Sequence, residues 1–172
     1  MGEGNVFAPG ARLELIEGEI IEMAPIGSPH AAAVTILARQ MTLAAGDRAI
    51  VWAQNPVRMD DRSMPQPDVA LLRPRLDTYA RSHPRPGDVL LLIEVSDTTL
   101  RFDVSTKVPL YARSGIIETW VVDLEGSVVQ VFRDPDANGY RKSFTVSGKG
   151  RVEVCAIPGV GVDVAELFPR TK

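Results

Sequence analysis

Cysteine is almost missing from this chain. Cys155 is the only one among 172 residues, so no intramolecular disulfide forms, and any zinc site needing two or more cysteines is excluded. That usage fits a reducing compartment. Histidine occurs twice, as His30 and His83, and neither has a partner at metal or triad spacing, so both read as surface or packing residues. Long apolar runs are lacking too: Val89 to Ile93 is strand-sized and far too short to cross a bilayer. There is no excess of positive charge. Nineteen Lys and Arg stand against 22 Asp and Glu, a net charge of −3 with a pI near 5.4, which excludes a generic polybasic nucleic-acid coat but not a local basic surface. Residues 1–6 have neither the basic start nor the apolar run of a signal peptide, and Val6 breaks the myristoylation pattern. A cytoplasmic protein without a membrane segment is expected. No nucleophile elbow, phosphate-binding glycine loop or dinucleotide fingerprint occurs.

What remains is ordinary globular material, 45% apolar and 24% charged, in a length suited to one domain over residues 1–172 with a core about 12–134. No repeat or low-complexity linker divides it. RLELIEGEIIEM (Arg12 to Met23) reads as a hairpin broken at Glu17-Gly18. Ser28-Pro29 starts an Ala-rich helix, with Val34, Leu37, Ala38, Met41 and Ala45 at helical spacing and Gly46 at its end. Strands follow at Ala49–Ala53, Pro67–Leu72 and Val89–Val95, and a second helix at about Thr106–Ser114. Glu118–Leu124, Ser127–Arg133, Tyr140–Val146 and Arg151–Cys155 read as a meander separated by turn signals. Asp163 and Glu166 have capping-box spacing for a short last helix. These elements predict an α/β fold, a mixed sheet with helices packed on it.

The chemistry concentrates in three places: Pro67-Asp68, Glu94-Val95-Ser96 and Lys107. Glu94 follows five apolar residues, where a carboxylate is costly unless a cation or hydrogen bonds compensate it. If the Asp68 strand pairs beside it, both carboxylates converge on one hard cation, with the Val95 carbonyl as a third oxygen. Lys107 shares a helical stripe with Val104, Val108 and Tyr111, which directs its ammonium toward the sheet. Pro109 starts or kinks that helix close by. Two carboxylates, a lysine and a metal suit phosphodiester hydrolysis. A structural ion pair between Glu94 and Lys107 is the plainer reading. Tyr111 reads as core, and Cys155 as a small strand hydrophobe.

The segments RLELIEGEIIEM, QNPVRMDD with PQPDVALLRPR, VLLLIEVSDTTLRFD and KVPLYARSGIIETWVVD resemble the Uma-two family of restriction-endonuclease-like proteins, a branch of the PD-(D/E)xK nuclease superfamily. The resemblance runs from about Arg12 to Asp123. It implies a restriction-endonuclease-like core, Mg²⁺ or Mn²⁺, and nucleic acid, DNA first, as substrate. Asp68 matches the PD aspartate and Glu94 the second acidic position. Ser96 stands where the superfamily has lysine, and Lys107 matches the lysine moved to the next helix in this branch. Glu19 resembles a further family acidic position.

Arg73, Arg75, Arg81 and Arg85 face Asp77 alone, a local excess of positive charge that could hold phosphates at the rim, with Tyr79 stacking on a base; an exposed loop with ordinary charges is the bland reading. Two functions remain open, a metal-dependent nuclease and a nucleic-acid or protein binding module without turnover. A β-rich small-molecule binder would require the motif match to be accidental. A homodimer is expected from the general prevalence of twofold oligomers.

Overall fold

The computed structural model describes residue 7 and residues 10–168; residues 1–6, read above for targeting signals, lie outside the described residues. Its N-terminal hairpin pairs β1 (Leu13–Ile16) with β2 (Glu19–Glu22). Glu17 and Gly18 both have positive φ, 53° and 89°, the two-residue turn whose twist matches paired strands. After α1 (Ser28–Ala45) come β3 (Ile50–Ala53), β4 (Val69–Leu72) and β5 (Val89–Ser96). A helical crossover follows, made of α2 (Leu100–Phe102), a π-helical segment (Asp103–Lys107) and α3 (Val108–Arg113). β6 (Glu118–Asp123), β7 (Val128–Asp136) and β8 (Gly139–Ser147) complete a six-stranded sheet ordered β3-β4-β5-β6-β7-β8. Only β5 and β6 are parallel in it, which is why they need the crossover. β9 (Arg151–Glu153) pairs with β10 (Gly161–Asp163) in a separate ribbon, and α4 (Val164–Leu167) ends the described chain.

The expected mixed α/β sheet is thus the observed one, with β5 near its middle and all eight of its residues buried. Leu91, Ile93 and Val95 pack with Leu37 and Met41 of α1, while Leu92 packs on the opposite side with Leu110 and Tyr111 of α3 and Ile16 of the hairpin. A strand covered on both faces must be apolar throughout. Glu94 and Ser96, both buried in this strand, are the exceptions, and the charged one needs a chemical reason.

Three expectations are corrected. The second helix begins at Leu100, not Thr106, and passes through a wide turn in which the Val108 amide donates to the Asp103 carbonyl five residues back. Pro109 supplies no amide and would clash with a carbonyl in a regular α-helix, and the π turn accommodates it. The meander stops after three strands. β9 leaves to join β10, where a side chain at Gly161 would stand 2.2 Å from the Val152 carbonyl oxygen, so only glycine permits that close pairing. The expected capping box is not formed: Asp163 makes no side-chain cap and bonds Arg151 at 3.2 Å instead.

Candidate active site

Val69 of β4 is opposite Ile93 of β5, so one step further along this antiparallel pair Asp68 comes opposite Glu94. Asp68 Oδ2 accepts the Val95 amide at 2.8 Å and contacts His30 Nε2 at 3.1 Å, and its Oδ1 accepts Gln54 Nε2 at 3.4 Å. A strand residue points its N–H and C=O to the same side, so the Val95 carbonyl faces this edge too. His30 arrives from the first turn of α1, which makes the start of that helix a wall of the site.

On the other side, Glu94 Oε1 accepts the Tyr111 hydroxyl at 2.5 Å and the Lys107 ammonium at 3.3 Å. Lys107 Nζ also donates to Glu14 Oε1 at 3.0 Å and lies 4.0 Å from Asp103 Oδ1. Asp103 Oδ2 in turn accepts the Ser96 and Thr99 hydroxyls at 2.7 and 2.6 Å. Asp68, Glu94, Val95, Asp103, Lys107 and His30 line one cavity of about 70 Å³, whose rim includes Arg12, Ile26 and Asp97.

Charge in this cluster is unbalanced. Lys107 is 1% exposed; burial alone would lower its pKa, but Glu94, Glu14 and Asp103 more than offset that and raise it, so the ammonium keeps its proton. Glu94 is pushed well above the ordinary carboxyl value by burial, with Lys107 pulling down and Asp103, Asp68 and Glu14 pushing up. Burial and the neighbouring carboxylates likewise hold the Tyr111 phenol protonated. The His30 imidazole is raised by its bond to Asp68, against the lowering effect of burial.

The residues fit a hydrated hard cation. Mg²⁺ characteristically takes one or two carboxylates, keeps several waters and completes its shell with substrate oxygens, and Asp68, Glu94 and the Val95 carbonyl offer such a partial shell. Acceptors crowd one donor: both Glu14 oxygens lie 3.0 Å from the Lys107 ammonium. Among the described residues no three Asp, Glu, His or Cys side chains form a ready metal cage, so the protein would hold such an ion by few ligands.

The structure brings Asp68, Glu94, Val95 and Lys107 together and leaves other candidates apart. Glu19 is exposed on β2 opposite Ile16; Glu14, on the neighbouring strand, occupies the cluster. Arg73 follows the end of β4 remote from Asp68, and none of Arg73, Arg75, Arg81 and Arg85 lines the cavity. Arg75 is tied to Asp77, and Tyr79 is 4% exposed with its hydroxyl on the Arg73 carbonyl, so this ring is not free to stack on a base. His30, read as a surface or packing residue, lines the cavity and contacts Asp68, whereas His83 is exposed. Tyr111 is core as expected, with a hydroxyl that also serves Glu94. Cys155 is exposed beyond the end of β9 and its amide donates to buried Glu118. Asp103, four residues before Lys107, carried a readable signal in that spacing; the helix start at Thr106 left it outside.

The family model described as Uma2, "Putative restriction endonuclease", matches residues 5–165. A crystal structure of a "putative nuclease belonging to DUF820" from Anabaena variabilis superposes with a TM-score of 0.71 at 15% identity, covering 91% of this chain and 89% of that one, a likeness of fold. No curated protein matches the sequence. The chain belongs to the Uma2 family.

Proposed function

We propose that this Uma2-family protein is a divalent-cation-dependent nuclease that hydrolyses phosphodiester bonds of nucleic acid, with DNA as the first substrate to test and Mg²⁺ or Mn²⁺ as the cofactor. The observation that carries this reading is the meeting of Asp68 and Glu94 at the ends of paired strands, beside a lysine buried among carboxylates. Asp68, Glu94 and the Val95 carbonyl would hold the ion, which when bound supplies Lewis acidity toward a phosphate oxygen and an acidified water. The Val95 amide and His30 fix the Asp68 carboxylate from two directions, so its orientation is set before any ligand arrives. Tyr111 fixes Glu94 in the same way. Lys107 keeps its proton, so its part is to offset negative charge in the transition state and to orient the attacking water, not to remove a proton. Arg12 at the rim is placed to contact a phosphate.

A second reading, a binding module without turnover, is favoured by Ser96: its hydroxyl is committed to Asp103 at the position where the superfamily has lysine. Cleavage of single- and double-stranded DNA and RNA in Mg²⁺ and Mn²⁺, with Asp68→Asn and EDTA controls, separates the two. Metal-dependent cleavage lost in Asp68→Asn is the expected result. Metal-independent binding without cleavage of any substrate would leave the binding module.

A further inference from the structure

We propose that Gln54 is a positioning residue for the divalent ion at Asp68, its side-chain amide holding the Asp68 carboxylate in the orientation that meets the ion. This role rests on the nuclease reading for the ion itself, and on a residue outside the cavity for its support.

The register of the sheet sets the two residues side by side. Ala53 of β3 is opposite Val69 of β4, so Gln54 comes opposite Asp68, and its backbone amide extends the ladder by donating to the Asp68 carbonyl at 3.0 Å. Asp68 in turn comes opposite Glu94. Gln54, Asp68 and Glu94 therefore form one row across three strands, and neighbours in such a row stand close enough for their side chains to interact. The two oxygens of Asp68 are engaged unequally. Oδ2 accepts the Val95 amide at 2.8 Å and contacts His30 at 3.1 Å, whereas Oδ1 accepts Gln54 Nε2 at 3.4 Å and has no other partner among the described residues. An oxygen with one long bond keeps a lone pair for a cation.

The backbone at Gln54 supports the same role. Its φ is 53°, in the left-handed region that glycine, asparagine and aspartate enter readily and other residues seldom do. Any of those three would end β3 here at lower conformational cost. None would do what the glutamine amide does: glycine has no side chain, asparagine is one methylene shorter, and aspartate would set a second carboxylate against Oδ1. Among the described non-glycine residues with positive φ, Gln54 is the one bonded to Asp68. A disfavoured conformation joined to a contact with a metal-binding carboxylate is the pairing in which backbone strain serves a site. Gln54 touches neither ion nor substrate, and acts through the carboxylate it orients.

Calorimetry with Mn²⁺ on wild type, Gln54→Asn and Gln54→Gly, beside thermal unfolding in EDTA, tests this without reference to cleavage. Both substitutions suit a positive φ and both withdraw the amide, so each variant is expected to melt within about 4 °C of wild type. Each is expected to bind Mn²⁺ about tenfold more weakly, the lower end of the loss when a partner behind a metal ligand is removed. Titrations are made well below the lowest melting temperature, so that an unfolded fraction cannot pass for lost affinity. Cleavage by both variants should recover when Mn²⁺ is raised to saturation, because Asp68 is intact. Equal Mn²⁺ affinity in all three proteins would overturn the role of Gln54 and leave the nuclease reading standing. Weaker binding with cleavage that stays low at saturating Mn²⁺ would also overturn it, since the defect would not lie in holding the ion. Wild type that takes up no Mn²⁺ would overturn the nuclease reading and this role together.

Discussion

Glu14 and Lys107 lie 93 residues apart in sequence and 3.0 Å apart in space, each almost fully enclosed. The ion pair ties the N-terminal hairpin to the crossover helix, as the more exposed Arg113–Glu17 pair also does. Glu14→Ala should lower unfolding free energy by about 3 kcal/mol, the lower end of the range for a broken buried pair, because Glu94 and Asp103 still accompany the lysine. Urea unfolding followed by circular dichroism measures it. A change under about 0.5 kcal/mol would mean that the pair contributes nothing net.

Glu94 makes the metal-free protein sensitive to pH. Its folded carboxyl pKa is raised above the ordinary 4.5, so the folded chain retains a proton that the unfolded chain releases. The associated stability is present below about pH 4.5 and is lost as pH rises through the folded value, by at most about 1.4 kcal/mol per pH unit for one proton. Glu94→Gln should flatten that loss. Denaturation midpoints in EDTA from pH 4 to 9 would run parallel in the two proteins if Glu94 did not hold its proton.

Divalent cations should stabilise the fold through Asp68. Binding to the folded state alone at a hundredfold excess over Kd adds about 2.7 kcal/mol. Wild-type Tm should therefore rise with Mg²⁺ or Mn²⁺, and Asp68→Asn should show no such rise. Equal responses in both proteins would place the cation elsewhere.

Phosphate contact is expected at Arg12 and not in the arginine loop. Arg12→Ala should weaken nucleic-acid binding and reduce the slope of log K against log salt by about 0.9 on duplex DNA, the value of one phosphate contact. Replacing Arg75, Arg81 and Arg85 together by Ala should leave that slope unchanged, since none of the three lines the cavity. Fluorescence anisotropy across a salt series distinguishes the two sets.

The sequence pattern carried most of the framework and the centre of the site. Asp68, Glu94 and Lys107 were legible because each interrupts a pattern: an acid opening an apolar strand, an acid inside one, a lysine on an apolar helical stripe. Glu14 was not. In RLELIEGEIIEM both phases of a strand contain aliphatic residues, and alternation alone cannot choose which faces the protein; docking against α3, where Ile16 packs with Leu110 and Tyr111, puts Glu14 inside. Asp103 is hidden by Pro109, which in sequence signals a helix start or a kink, whereas the chain widens into a π turn that includes Asp103. His30 gave no signal because its partner, Asp68, lies 38 residues away. The arginine loop follows Asp68 closely in sequence, but β4 intervenes and carries it about 13 Å along the sheet at roughly 3.3 Å per residue.

The parallel pairing of β5 with β6 has a consequence for the newly made chain. β5 cannot be flanked on that side until the crossover and β6 have been synthesised, and Glu14 must wait for Lys107 across a loop whose closure costs about 4 kcal/mol in chain entropy. Carboxylates and ammonium therefore come together late, after long-range contacts are in place. A nascent fragment ending with β5 holds Asp68 and Glu94 without Asp103 or the lysine. Such a fragment has both strand carboxylates and none of the crossover groups that face them in the finished fold.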